Sequence, residues 1–303
     1  MKHLIVIYLF TLNFNLFGQE VKTVKKEEKR PSSLIGTYSK DKDHYSALLI
    51  EGNLGLSSSW SLNASFFQSD SGTASLLNEK LITKEEHIGV DWNINKYWGT
   101  AFGLSARQEP YETVSQGGNL SIRTELNQWW KAKRKTSLTL KGEFVKIAQD
   151  LQVQGKILKV SVYKYLEQKN LNITLNQEFL DFLNISFSHS TYRYSEEVSN
   201  LDLYILSKKI SMGAGTFSYG YPDASNTLEI LLYPYDWLEL RLLGSETKSA
   251  GSSSVTKTAS LGASLFWNNY QLDLEYAHSD YGNSSQLQAS NQSISSIGLG
   301  YNW

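Results

Sequence analysis

Beyond residue 44, apolar and polar residues take turns along the chain in one segment after another. Residues 60–66 (WSLNASF), 88–94 (IGVDWNI), 120–126 (LSIRTEL) and 138–144 (LTLKGEF) alternate, and so do 183–187, 238–242 and 270–276. A period of two sends successive side chains to opposite faces of an extended strand, so each segment reads as a strand with one apolar and one polar face. No stretch carries the 3.6-residue stripe of an amphipathic helix. After the N-terminus, no apolar run approaches the ~20 residues of a membrane-spanning helix. The body of the chain is expected to be all β.

The connections between these segments come in two sizes. Tight turns fall at residues 57–59, 95–96, 176–178, 234–236 and 268–269, and longer polar stretches at 69–80, 108–118, 149–155, 245–254 and 279–292. Short turns on one side and longer loops on the other predict a closed antiparallel transmembrane β-barrel with the turns facing the periplasm. In lipid every backbone N–H and C=O must find a partner, so a sheet can span only by closing on itself. None of the long stretches exceeds the ~12–15 residues beyond which lids are usually found, so an open lumen is expected. Strand number is about fourteen to sixteen. Counting back from the C-terminal strand gives about fifteen segments, and single-chain bacterial barrels have even numbers. Either residues 34–39 add a first strand or one segment is miscounted. The uncertain stretch is 156–177, where the apolar face changes phase between Leu158, Val160, Val162 and Tyr163, Tyr165, Leu171, Ile173, Leu175. It reads as one bulged strand or two short ones.

Composition narrows the functional classes. The 303 residues include 13% aromatics, with Tyr 18 and Trp 8, and carry a formal charge of -1. That charge leaves no basic footprint for nucleic acid. Cysteine is absent, which excludes disulfides, thiolate metal sites and cysteine nucleophiles. The N-terminus has a short basic start, an apolar run over residues 4–17 and a small residue at Gly18, the pattern of a secretory signal peptide. The expected organisation is a signal peptide at 1–18, a charged periplasmic linker at 19–33 and a barrel at 34–303. Outside the signal the histidines are His44, His87, His189 and His278. The two close acid and histidine groupings, Asp43-His44 and His278-Ser279-Asp280, lie at inferred loop or strand ends. No G-x-S-x-G, H-E-x-x-H or P-loop pattern is present. No catalytic residue, cofactor or metal site is assigned, and the chain is not expected to be an enzyme.

The chain closes on SIGLGYNW, with Ile297, Leu299, Tyr301 and Trp303 on one face of a period-two segment. With the signal peptide and the repeated strands, this ending resembles the Gram-negative outer-membrane β-barrels, broadly porin-like, although no motif of one family stands in the loops. The resemblance implies residence in the cell outer membrane of a Gram-negative bacterium, among outer-membrane lipid and lipopolysaccharide. It implies that Ile297, Leu299, Tyr301 and Trp303 act as an assembly signal read by the barrel-assembly machinery. Aromatics near inferred strand ends, namely Trp60, Trp92, Trp98, Tyr233, Trp237, Trp267, Tyr270, Tyr301 and Trp303, would form the interfacial girdle.

The polar parity then belongs to the lumen. It holds Glu51, Asp91, Glu125, Glu143, Glu229, Glu239, Asp273 and Glu275, opposed by Arg123, Lys141, Lys159, Lys164 and Arg241. Lys159 and Lys164 have opposite parity, so both face inward only if the phase change between them is real. Charges lining a water-filled lumen tune which ions pass, and the same charges can instead pair across strands as structural ties. The expected function is passive diffusion of small hydrophilic solutes or ions through a mildly acidic channel. The alternative is a non-conducting structural or adhesive barrel with partner-binding loops.

Overall fold

The computed structural model describes residues 30–41, 45–74, 79–109, 113–128, 134–154, 159–196, 209–211, 217–219, 221–250, 255–280 and 292–303. Fourteen strands close into one antiparallel barrel. Its first half comprises β1 (Ser33–Asp41), β2 (Ser46–Gly55), β3 (Trp60–Ala74), β4 (Glu79–Asn93), β5 (Trp98–Glu109), β6 (Thr113–Glu125) and β7 (Thr136–Gln154). Then come β8 (Lys159–Leu180) and β9 (Leu183–Tyr194). Two short strands, β10 (Lys209–Ser211) and β11 (Phe217–Tyr219), pair with each other as a separate sheet. The barrel resumes with β12 (Pro222–Tyr235), β13 (Leu238–Ser249), β14 (Val255–Trp267), β15 (Tyr270–Asp280) and β16 (Gln292–Asn302). Neighbours in sequence are neighbours in space, β9 pairs with β12, and β16 closes on β1 from Ser33↔Asn302 to Asp41↔Ile294.

The two faces of this sheet reverse the arrangement of a water-soluble protein. The outward parity is apolar and open: Leu299 is 64% exposed, Ile88 59%, Leu261 57% and Leu120 54%. The inward parity holds hydroxyls, and Thr247, Thr256, Ser61 and Ser279 are among the most buried residues. A continuous apolar exterior around a polar interior is stable only if hydrocarbon surrounds the outside. Alternation along each strand produces this directly, because register pairs keep like faces together around the ring.

At one end the strands are joined by tight turns and ringed by aromatics. Trp60 lies opposite Trp92 with the rings stacked at 5.1 Å. Tyr235 stacks on Trp237 at 5.3 Å, and Trp267, Tyr270, Tyr301 and Trp303 form a continuous series at 5.2–6.0 Å. Each such pair adds ~0.5–1.5 kcal/mol beyond the area it buries. Side-chain oxygens tie the turns: Ser57 Oγ accepts from the Ser59 and Trp60 amides, and Asn95 Oδ1 from those of Tyr97 and Trp98. Between β14 and β15, Asn268 takes the left-handed conformation with φ 53°, which asparagine tolerates better than other side chains.

Several expectations from sequence are revised. Residues 34–39 do belong to a strand, β1, yet the total is fourteen, because thirteen barrel strands rather than fifteen follow residue 45, and residues 159–177 lie in the single strand β8. Pairing of β7 with β8 runs without a slip from Thr136↔Gln177 to Gln154↔Lys159. There is no bulge to change the phase, so Lys159 and Lys164 remain on opposite parities and cannot both face the lumen; their side chains lie outside the described residues. The loops are shorter than predicted, since β5 runs to Glu109, β7 to Gln154 and β13 to Ser249. Above the apolar band both faces are polar, so alternation fades while the hydrogen-bond ladder continues. The expectation that no connection is long is also wrong: residues 195–221 join β9 to β12. The expected signal peptide at 1–18 and the expected linker up to residue 29 lie outside the described residues.

Candidate functional site: the lumen and its neck

Inside the ring, the turn end opens into a cavity of about 310 Å³ lined by Arg30, Asp91, Asn93 and Arg123 among others. Arg30 enters this mouth. Its amide donates to Ser57 O at 3.2 Å and its guanidinium reaches Ser61 Oγ at 2.9 Å. Gly55 makes room, because a Cβ there would overlap the Arg30 carbonyl. Asp91 accepts from Asn63 Nδ2 at 2.9 Å, and Arg123 donates to Asn93 Oδ1 at 3.2 Å. Gly89 and Gly103 sit beneath the side chains of Asn63, His87 and Asn119, which lie flat against the wall for want of a Cβ below them.

Higher up, a cavity of about 630 Å³ extends between the walls made by β4–β9 and β12–β13. One wall is charged, with Glu85, Arg107, Glu109, Lys141 and Glu143. Glu143 accepts from Asn170 Nδ2 at 3.3 Å. Across the lumen, Arg241 donates to Glu275 at 3.0 Å. The wall between them is built of hydroxyls and amides in register: Asn172, Ser190, Ser225, Thr247 and Thr256 lie side by side on five strands. Asn172 donates to Ser190 Oγ at 2.8 Å, and Ser225 and Thr247 share a hydrogen bond at 2.9 Å. Asn170 Oδ1 and Arg241 Nε, on residues that line the cavity, are buried and have no hydrogen-bond partner among the described residues.

Near the loop end, Arg107 and two buried tyrosines from distant parts of the ring form a neck of inward side chains. Arg107 lies 2.8 Å from Glu109 and 3.7 Å from Glu85. Tyr221, from the 195–221 connection, is 4% exposed; it packs with Ile147 and Leu166 and meets Tyr194 edge-on at 5.5 Å. Tyr45 is equally buried beside Ala47 and Ile294. Arg107 is within electrostatic reach of both phenols. Burial, the neighbouring Glu109 and, in opposition, Arg107 set the Tyr221 phenol well above its ordinary range. Burial and Asp41 do the same for Tyr45, again opposed by Arg107. Both rings are therefore neutral walls.

By register, the candidates Glu51, Asp91, Arg123, Glu125, Lys141, Glu143, Glu229, Glu239, Arg241, Asp273 and Glu275 all fall on the inward parity. They are not one cluster. Asp91 and Arg123 line the turn-end cavity, while Lys141, Glu143, Glu229 and Arg241 line the larger one. Glu51 and Glu239 lie within electrostatic reach of Asp273, whose carboxylate accepts from Gln271 Nε2 at 2.8 Å. Glu125 ends β6 opposite Ser137. Sequence reasoning missed Glu85, Arg107, Glu109 and the two tyrosines of the neck. Glu85 shares the parity of Asp91, and Arg107 that of Ala101, so the signal for these two was present. Tyr221 had none. The C-terminal set lies on β16 and the residue after it, facing outward, and Trp303 exchanges backbone hydrogen bonds with Ser32 at 2.9 and 3.0 Å.

No protein-family model matches the chain, and no curated protein matches it in sequence. Solved structures do match in fold. The Ralstonia pickettii toluene transporter TbuX aligns over 91% of this chain and 89% of its own at 10% identity, with a TM-score of 0.52. The fold is that of an outer-membrane β-barrel. Other barrels align more loosely: the Pseudomonas putida toluene transporter TodX over 90% of this chain and 87% of its own at 10% identity and a TM-score of 0.47, and the KdgM porin over 89% and 98% at 10% identity and 0.41. At these identities the likeness concerns the barrel, while the residues facing its lumen are this chain's own.

Proposed function

We propose that this barrel is a channel in the outer membrane of a Gram-negative bacterium, through which small hydrophilic solutes diffuse passively and cations pass ahead of anions. The observation that carries the reading is the polar cavity of about 630 Å³ inside a closed ring whose exterior is apolar. Its acids Glu85, Glu109, Glu143 and Glu229 outnumber its bases Arg107, Lys141 and Arg241. An acidic, water-filled lumen concentrates cations and repels anions. The neck at Arg107, Tyr45 and Tyr221 sets the largest solute that passes. Assembly in this reading uses β16 and Trp303 as the segment read by the barrel-assembly machinery.

The buried neck also favours a second reading, a barrel closed at rest that works through its loops. Planar-bilayer recording of the folded protein separates the two. Reproducible single-channel steps, with a reversal potential of cation-preferring sign under a salt gradient, support the channel. Silence from protein whose folding is shown by heat-modifiable gel mobility supports the closed barrel.

A further inference from the structure

The outward wall has a charged feature that conduction does not use. On β7, β8 and β9, Lys146, Lys169 and Arg193 are exposed on the lipid-facing parity. Register places Lys169 directly opposite Arg193 on one side and opposite Phe144 on the other. Lys146 is the next outward residue above Phe144, with its ammonium 5.7 Å from that ring's centre. Two cations facing each other across adjacent strands repel, and a sheet ordinarily avoids the arrangement. Among the described residues, no carboxylate lies within 4.0 Å of any of the three basic groups. Two outward bases elsewhere near the loop end do have partners: Lys248 lies 3.3 Å from Asp223 and Lys257 3.9 Å from Glu246. Glu167, which the register sets opposite Lys146, accepts from the Tyr165 hydroxyl at 3.1 Å, and three bases beside this acid leave the cluster with a net positive charge.

Height gives the cluster its meaning. Lys169 lies about 26 Å above Phe179 at the turn end, taking ~3.4 Å per residue and a strand tilt of ~40°. An outward apolar band is ~25 Å tall, so the bases stand at its upper margin, on the side of the long connections. Directly below them the surface is exposed hydrocarbon: Leu171, Ile173, Leu175, Leu140 and Phe187. Bases above a strip of aliphatic and aromatic side chains match an amphiphile with its anionic group above its acyl chains. A guanidinium fork and two mobile ammonium groups suit the several oxygens of a phosphate better than the two of a carboxylate.

We infer that Lys146, Lys169 and Arg193 form a binding site for the phosphate of an acylated phosphoglycolipid of the outer leaflet, the chemistry of lipid A. The inference rests on the outer-membrane part of the proposed function and not on conduction. A barrel that is silent in bilayers yet holds the glycolipid would overturn the channel and leave this site standing.

The test is native mass spectrometry of the detergent-folded full chain titrated with bis-phosphorylated lipid A, with the same lipid stripped of its phosphates, and with phosphatidylglycerol. The phosphorylated form should bind at least about tenfold more tightly than the stripped form, as expected for two or more charge-assisted hydrogen bonds. Lys169→Gln with Arg193→Gln should bring the two within about twofold, while Lys169→Arg keeps the preference. Both changes are at exposed positions, and heat-modifiable mobility confirms the folded ring. Should the double variant fail to fold, Lys146→Gln with Lys169→Gln replaces it. Equal binding of the two lipid A forms overturns the inference, and so does an unchanged preference in the variants. Displacement of lipid A by equimolar inorganic phosphate, or equal affinity for phosphatidylglycerol, overturns the glycolipid assignment.

Discussion

Replacing Arg107 with glutamine removes the positive charge from the neck while keeping most of the side chain's length. Arg107 is 14% exposed in its side chain and lies between Glu85 and Glu109, so a passing ion meets a trio in which one of the two negative charges is offset. Without the guanidinium the same ion meets two carboxylates. For an ion about 5 Å from the lost charge, Coulomb's law gives ~0.8 kcal/mol at the dielectric of water. The Debye length of ~10 Å at 0.1 M salt trims this to roughly 0.5 kcal/mol. The change has opposite sign for cation and anion, so their difference moves by about 1 kcal/mol, or about fivefold in permeability ratio. Water's dielectric is the weakest case, and a drier neck enlarges the effect. The assay is reversal potential across a planar bilayer under a KCl gradient at pH 8, where carboxylates are ordinarily ionised. Arg107→Gln should shift the potential toward stronger cation preference. A folded, conducting variant whose reversal potential matches the parent protein would show that ions do not pass Arg107, and the neck would lose its role.

Tyr221→Ala removes the ring that fills the space between Ile147, Leu166 and Tyr194. Conductance should rise and larger neutral polymers should enter the lumen, as polymer-exclusion recordings would show; an unchanged exclusion limit places the narrowest point elsewhere. Because the Tyr45 and Tyr221 phenols are held above their ordinary range, they stay neutral as pH rises from 7 to about 10. Cation selectivity over that span should be the same in Tyr221→Phe as in the parent protein, and an inflection lost in Tyr221→Phe would contradict their burial. Glu275→Gln leaves Arg241 without its 3.0 Å carboxylate partner. It should lower the urea midpoint of unfolding by the equivalent of about 1–3 kcal/mol, a part-buried pair being worth less than a fully buried one, and no change would make the pair ornamental. Removing Trp303 eliminates two backbone bonds to Ser32 and should reduce the heat-modifiable fraction recovered from membranes.

The fold was legible because lipid outside and water inside impose a strict alternation, and Leu138-Thr139-Leu140-Lys141 or Tyr270-Gln271-Leu272-Asp273 cannot satisfy both sides in any other register. The face to which Asp91, Glu143 or Asp273 belongs follows from that alone. Where the apolar band stops, the constraint stops with it. Glu109 ends β5 and Thr113 begins β6 in a stretch that resembles loop, since both faces there are polar. The row from Asn172 to Thr256 was invisible for another reason: serine and threonine mark neither face, and their alignment exists only once five strands are in register. Tyr221 reaches the neck through the long connection before β12, and no local pattern records which distant wall a side chain will meet.

The seam between β1 and β16 has a consequence for how this molecule comes into being. Nearly the whole ring separates its two edges along the chain, and a ladder from Ser32 and Trp303 up to Asp41 and Ile294 joins them. Until that joint forms, every intermediate sheet carries two raw edges, each a row of unpaired amides and carbonyls able to recruit any other strand. Hydrocarbon would punish those groups and water would invite aggregation through them. The sheet therefore gains little from partial completion. Its most dangerous moments come just before closure, when the two edges must find each other before either finds a stranger.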